Sequence, residues 1–189
     1  MKTRDIALAA MMIAITTALG YFKVTLPINE VPITFQTLGI ILAGLLLGAR
    51  LGGLSILAFV ILVAVGAPLL GGGRGGFSVL VGASGGYILS WPIVAFLLGY
   101  MVEKSWNSLN FWKVLGFNIV GGMLVMYLIG IPYQAAITGV PVLAVAVKSL
   151  IFLPGDLIKG AIASLIAVRI RKMYPLIQPK SSPTQHIPM

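Results

Sequence analysis

Residues 31–49 read VPITFQTLGIILAGLLLGA and residues 51–73 read LGGLSILAFVILVAVGAPLLGGG, with Arg50 the one charge between them. A bilayer's hydrocarbon core takes about 20 apolar helical residues to cross. Each stretch therefore fits a membrane span, and the Gly48-Ala49-Arg50-Leu51-Gly52-Gly53 junction reads as a tight turn between two of them. Working outward, residues 6–22, 75–102 and 114–147 also lack Asp, Glu, Lys and Arg. The chain reads as an all-α, polytopic membrane protein.

Composition agrees. Of 189 residues, 59% are hydrophobic and only 9% charged, and the mean hydropathy is +1.05. A soluble domain carries roughly 25% charged residues. Soluble enzymes, secreted disulfide scaffolds and nucleic-acid binders are excluded, and the absence of cysteine removes thiolate chemistry and thiolate metal sites. The net charge of +9 reads as basic span ends facing anionic lipid headgroups.

Six spans are expected: Ile6 to Phe22, Ile33 to Gly48, Leu54 to Val65, Tyr87 to Met101, Val114 to Ile131, and Gly155 to Ile170. Pro27 and Pro32 exclude a regular helix between the first two. The segment Glu103 to Lys113, with Trp106 and Trp112, reads as an interfacial loop. Pro132 to Pro154 reads as an interrupted stretch holding a short or re-entrant helix. Residues 1–175 make one six-helix transmembrane domain, and 176–189, rich in Pro and Ser and holding His186, read as a disordered cytoplasmic tail. Nine basic residues fall on the side of the termini and four, Lys23, Arg74, Lys148 and Lys159, on the other. The positive-inside rule then places both termini in the cytoplasm and the Pro/Gly-rich irregular loops outside, where they suggest a cavity opening outward.

Asp156 and Lys159 are the sharpest chemical feature, because i and i+3 share a helix face. An ionisable group inside a span costs roughly 2.5–3.5 kcal/mol on insertion scales and usually faces protein or water; the plainer reading is an ion pair capping the last span. Gly71 to Gly76 formally contains G-x-G-x-x-G but follows no βαβ strand, so it is no dinucleotide fingerprint. It reads instead as a flexible loop that lets Arg74 close over a small ligand, or as a plain turn. Ala10, Ala14 and Ala18 form a small-residue stripe suited to close packing, inside the chain or against a partner. Tyr87, Tyr133 and Phe35 could stack on a flat ligand. No P-loop, HExxH or GxSxG motif occurs.

The strings Val31 to Leu38 (VPITFQTL), Leu42 to Gly48 (LAGLLLG), Gly73-Arg74-Gly75-Gly76, Gly82 to Tyr87 (GASGGY) and Asp156-Leu157-Ile158-Lys159, in this order, resemble the BioY family, the biotin-specific substrate-binding (S) subunits of energy-coupling factor (ECF) transporters. The resemblance spans the chain apart from its tail. It implies an S-component fold of six helices, no enzymatic activity and no cofactor or metal. It also implies biotin as the transported solute and multi-pass residence in a prokaryotic plasma membrane, with lipids around it. The implied partners are a transmembrane coupling subunit (T) and two ATPases (A and A'), the coupling subunit meeting Ala10 and Ala14. The implied substrate contacts are Asp156 and Lys159, with Gln36, Gly73, Arg74 and Tyr87 nearby. The same architecture reading another small vitamin, or a stand-alone biotin uptake protein, are the competing readings.

Overall fold

The computed structural model describes residues 2–24 and 31–173. The tail at 176–189, with His186, and Pro27 and Glu30 in the first loop lie outside the described residues. Eight α-helices occur among those described: α1 (Thr3–Gly20), α2 (Gln36–Ala64), α3 (Phe77–Leu80), α4 (Gly85–Lys104), α5 (Phe111–Phe117), α6 (Val125–Thr138), α7 (Val142–Ser149) and α8 (Leu153–Met173). A π-helical turn, Asn118–Leu124, joins α5 to α6 into one span, and a 3-10 turn, Leu150–Phe152, joins α7 to α8. Between α1 and α2, two-residue strands β1 (Lys23–Val24) and β2 (Ile33–Thr34) pair antiparallel, Lys23 opposite Thr34.

Among the described residues, five helical stretches are long and apolar enough to cross a membrane. The sixth expected segment is one arm of α2, whose 29 residues reverse at Gly48 (φ 82°, ψ −179°), a conformation open to glycine alone. The reversal brings both ends of α2 together. Gln36, at its start, donates from Nε2 to Leu69 O (3.0 Å) and accepts from Gly71 N (3.1 Å), beyond its end. At the turn, the exposed Glu103 of α4 accepts from Ala49 N at 2.9 Å and so caps the second arm.

Small residues close the bundle here. A Cβ on Gly44 would meet Ala95 O at 2.4 Å, and one on Gly99 would meet Ala49 N at 2.3 Å. Helices without a hydrophobic driving force between them associate through such backbone approach. On α1, Met12, Thr16 and Gly20 face α2, while Ala10, Ala14 and Ala18 are exposed on the opposite side. The alanine stripe therefore does not pack inside the fold.

The span expected to stop at Ile131 runs through Pro132 to Thr138. A proline breaks an isolated helix, but within a membrane bundle neighbouring groups accommodate the freed carbonyl. Gly139 ends it in the left-handed conformation, with its N–H on Ala135 O at 3.0 Å. The expected short helix before the last span is α7, and Pro154 falls in the first turn of α8, where its missing N–H costs nothing.

Candidate functional site

At the end of the bundle that carries the 66–84 loop lies a small cavity of about 60 Å³. Residues 31–34 form part of its wall from the first loop, Thr37 from α2, Tyr87 and Trp91 from α4, and Met126 and Tyr127 from α6. Phe152, Asp156 and Lys159 complete it.

Asp156 sits in the first turn of α8, where the helix dipole favours a carboxylate. One helical turn on, Lys159 Nζ lies 2.5 Å from Asp156 Oδ1, and the lysine and aspartate side chains are only 5% and 13% exposed. Lys159 also donates to Thr34 O (3.0 Å) and Thr37 Oγ1 (2.8 Å). Its three protons thus have three protein acceptors. The lysine ties the first loop and the start of α2 to α8. Tyr127 OH donates to Asp156 Oδ2 at 2.5 Å. A carboxylate offers about four lone-pair sites, so Asp156 keeps room for two further donors. The cavity is therefore an apolar, aromatic pocket with one charged pair whose anion can still accept.

The expected site residues separate into two groups. Asp156, Lys159 and Tyr87 line the cavity; the Tyr87 hydroxyl donates to Gln134 Oε1 (3.2 Å) and lies 3.2 Å from Ser149 Oγ, tying α4 to α6 and α7. Gln36, Gly73 and Arg74 do not line it. Gln36 is buried with both ends of its carboxamide on the 69–71 backbone. Gly73 (φ 70°) forms the tip of a tight turn closed by Leu70 N on Arg74 O. Arg74 is exposed, donates from Nε to Gly71 O (3.2 Å), and borders a separate concavity with Ser78 and Ser84.

Comparison with known proteins agrees with this architecture. The sequence profile of the BioY family matches residues 1–176. The chain belongs to that family. The biotin transporter BioY of Rhizobium etli is 37% identical over 186 residues, covering 94% of this chain and 98% of the relative. The probable biotin transporter BioY of Bacillus subtilis is 38% identical, covering 93% and 95%. A crystal structure of the S-component for biotin from an ECF-type ABC transporter superposes with a TM-score of 0.86 at 32% identity, covering 91% of this chain and 95% of that one.

Among the cavity residues that sequence reasoning passed over are Thr37, Tyr127 and Trp91. Thr37 lies inside the quoted VPITFQTL string, and only the fold shows its hydroxyl facing Lys159. Tyr127 and Trp91 carried one faint signal. Each is an amphipathic aromatic well inside a charge-free run, away from the interfacial belt where such residues usually sit.

Proposed function

We propose that this chain binds biotin in the cavity beneath residues 31–34 and passes it across the membrane as the S subunit of an ECF transporter. The observation that carries the reading is the buried Asp156–Lys159 pair in the wall of an otherwise apolar pocket, in a member of this family. Biotin presents two ureido N–H donors, a carbonyl acceptor, an apolar bicycle and a carboxylate tail. The two unused lone-pair sites of Asp156 suit the N–H donors, as charge-assisted hydrogen bonds. Tyr127 and Lys159 hold the carboxylate in place for them. The ureido carbonyl gains a bond from Lys159 only in exchange for one of its present acceptors. Thr34 O, at 3.0 Å, is the longest of these, so ligand entry and the position of the first loop share one ammonium.

The positive-inside bias places both termini in the cytoplasm and the cavity toward the outside. The chain performs no catalysis in this reading and needs no cofactor or metal of its own; separate A and A' subunits hydrolyse ATP. The exposed Ala10 and Ala14 face is open to the T subunit. Replacing both alanines with Trp should abolish co-purification with T while leaving biotin binding intact, and loss of binding would refute the assignment.

Folded protein purified from biotin-replete cells should carry biotin detectable by mass spectrometry and rebind radiolabelled biotin after its removal. Transport should then require the T and A subunits. A folded protein that binds no biotin would overturn the proposal, and sustained uptake without the partners would favour a stand-alone transporter.

A further inference from the structure

Trp91 lines the cavity from α4. Trp91 is 6% exposed, and its indole Nε1 is buried with no hydrogen-bond partner. The neighbouring polar side chains of the lining are paired: Thr37 and Asp156 with Lys159, Tyr127 with Asp156, Tyr87 with Gln134. A buried donor left unpaired is costly, and indole N–H groups in protein interiors generally find an acceptor. Packing alone does not call for the nitrogen. Phe59, fully buried, lies against the indole with ring centroids 6.0 Å apart, and a phenyl ring would fill the same contact.

We propose that Trp91 is a ligand-binding, specificity-determining residue, its indole N–H donating to a neutral acceptor on the ring system of the bound solute. The inference rests on the biotin reading above. Trp91 lies one turn further along α4 than Tyr87, a rise of about 6 Å, and so deeper from the loop end. The lining also holds the apolar Met126, and the one cation among the described lining residues, Lys159, already has three acceptors. A single neutral donor in such surroundings is poorly matched to a desolvated carboxylate. It is well matched to the ureido oxygen or the thioether sulfur. The carboxylate tail then points toward the loop end, and Trp91 and Asp156 read the bicycle from two helices.

The test is Trp91→Phe in the full-length protein, with equilibrium binding of biotin and of biotin amide, whose carboxylate is blocked. Loss of one net hydrogen bond should weaken both ligands by the same factor, roughly two- to tenfold. With desthiobiotin, a loss that persists assigns the acceptor to the ureido oxygen, and one that vanishes assigns it to the sulfur. Unchanged affinity for biotin, or a loss confined to the ligand with a free carboxylate, would overturn the proposal. Failure of the wild-type protein to bind biotin would instead remove the reading on which it rests. A second measurement covers a variant that does not fold. In a Trp106→Phe, Trp112→Phe background Trp91 is the sole tryptophan, so one indole N–H resonance is seen in ¹⁵N-labelled protein. It should move downfield on addition of biotin or biotin amide, and a resonance that stays in place would equally overturn the assignment.

Discussion

The α2–α4 half of the bundle and the α6–α8 half are built from the same apolar alphabet and end in opposite states. Where α2 meets α4, Gly44 lies on Ala95 and Gly99 on the turn at Gly48 and Ala49, so backbone touches backbone and no space remains. Toward α6, α7 and α8 the facing residues are Tyr87, Trp91, Tyr127 and Phe152, whose rings stand between helices and frame the cavity. Residue size at the contact, more than hydrophobicity, decides whether two membrane helices close or leave a pocket. The polar groups follow the same division. The closed side holds the buried hydroxyls of Ser55 and Ser90 on neighbouring backbone carbonyls at 2.8 and 2.6 Å, whereas the open side holds an ion pair with acceptor capacity to spare.

The largest effect should come from forcing the closed side apart. Gly99→Leu places a side chain against the backbone of Gly48 and Ala49, which cannot yield as a flexible side chain would. Overpacking typically costs about 1–3 kcal/mol and occasionally more, and here the Glu103 cap on Ala49 is displaced as well. The variant should lose most folded protein in detergent, read by size-exclusion chromatography and thermal denaturation. Gly116→Ala is the matching control: a Cβ there meets nothing within 4 Å, and helix propensity favours alanine by about 1 kcal/mol. Equal stability of the two variants would refute the claim that backbone contact holds this side.

On the open side the effects should fall on binding before stability. Asp156→Asn keeps the volume but turns a charged acceptor into an amide with one donor end, facing biotin's N–H groups. Hydrogen bonds to charged groups contribute about 1.5–3 kcal/mol, so affinity measured by titration should drop roughly ten- to a hundredfold. Lys159 keeps Thr34 O and Thr37 Oγ1 but loses its counter-charge, so some stability should go too. Unchanged biotin affinity in folded Asp156→Asn protein would leave the pair as no more than a tie between α8 and the first loop. Lys159→Met tests that tie directly. Without the ammonium, residues 31–34 lose their bond to α8 and biotin should dissociate faster; an unaltered dissociation rate would rule the lysine out as a latch.

The open side was also the less legible in sequence. Charge-free runs and a few prolines were enough for the spans, because crossing a bilayer leaves the backbone few options. Asp156 and Lys159 stood out because a charge within a span is costly. The split among the other candidates was hidden. Gln36 sits in the same quoted string as Thr37, and Arg74 in another of the quoted strings, yet the reversal at Gly48 turns Gln36 toward the 69–71 backbone and leaves Arg74 over another hollow. Helix partners four or more segments apart depend on how glycines and rings set the spacing, and periodicity within one span carries no such information. Pro132 misled for a related reason: what breaks a lone helix is absorbed when neighbours surround it.

The smallest effect tests how far the open side's polar groups act as a unit. Tyr127→Phe deletes the donor to Asp156 Oδ2 and leaves the rest of the ring, which meets Tyr87 edge-on at 6.5 Å and 83°. Lys159 still holds Oδ1, so the carboxylate remains charged and close to its place but gains freedom to rotate. Biotin must then fix that rotation on binding. The penalty is one side-chain torsion, of the order of 0.5–1 kcal/mol on entropy scales, so affinity should fall about two- to fivefold, well short of Asp156→Asn. A loss as large as that of Asp156→Asn would place the Tyr127 hydroxyl in direct contact with the ligand. A gain in affinity would show that tyrosine and biotin compete for the same lone pairs, and that the ligand-free site stabilises its own buried anion at biotin's expense.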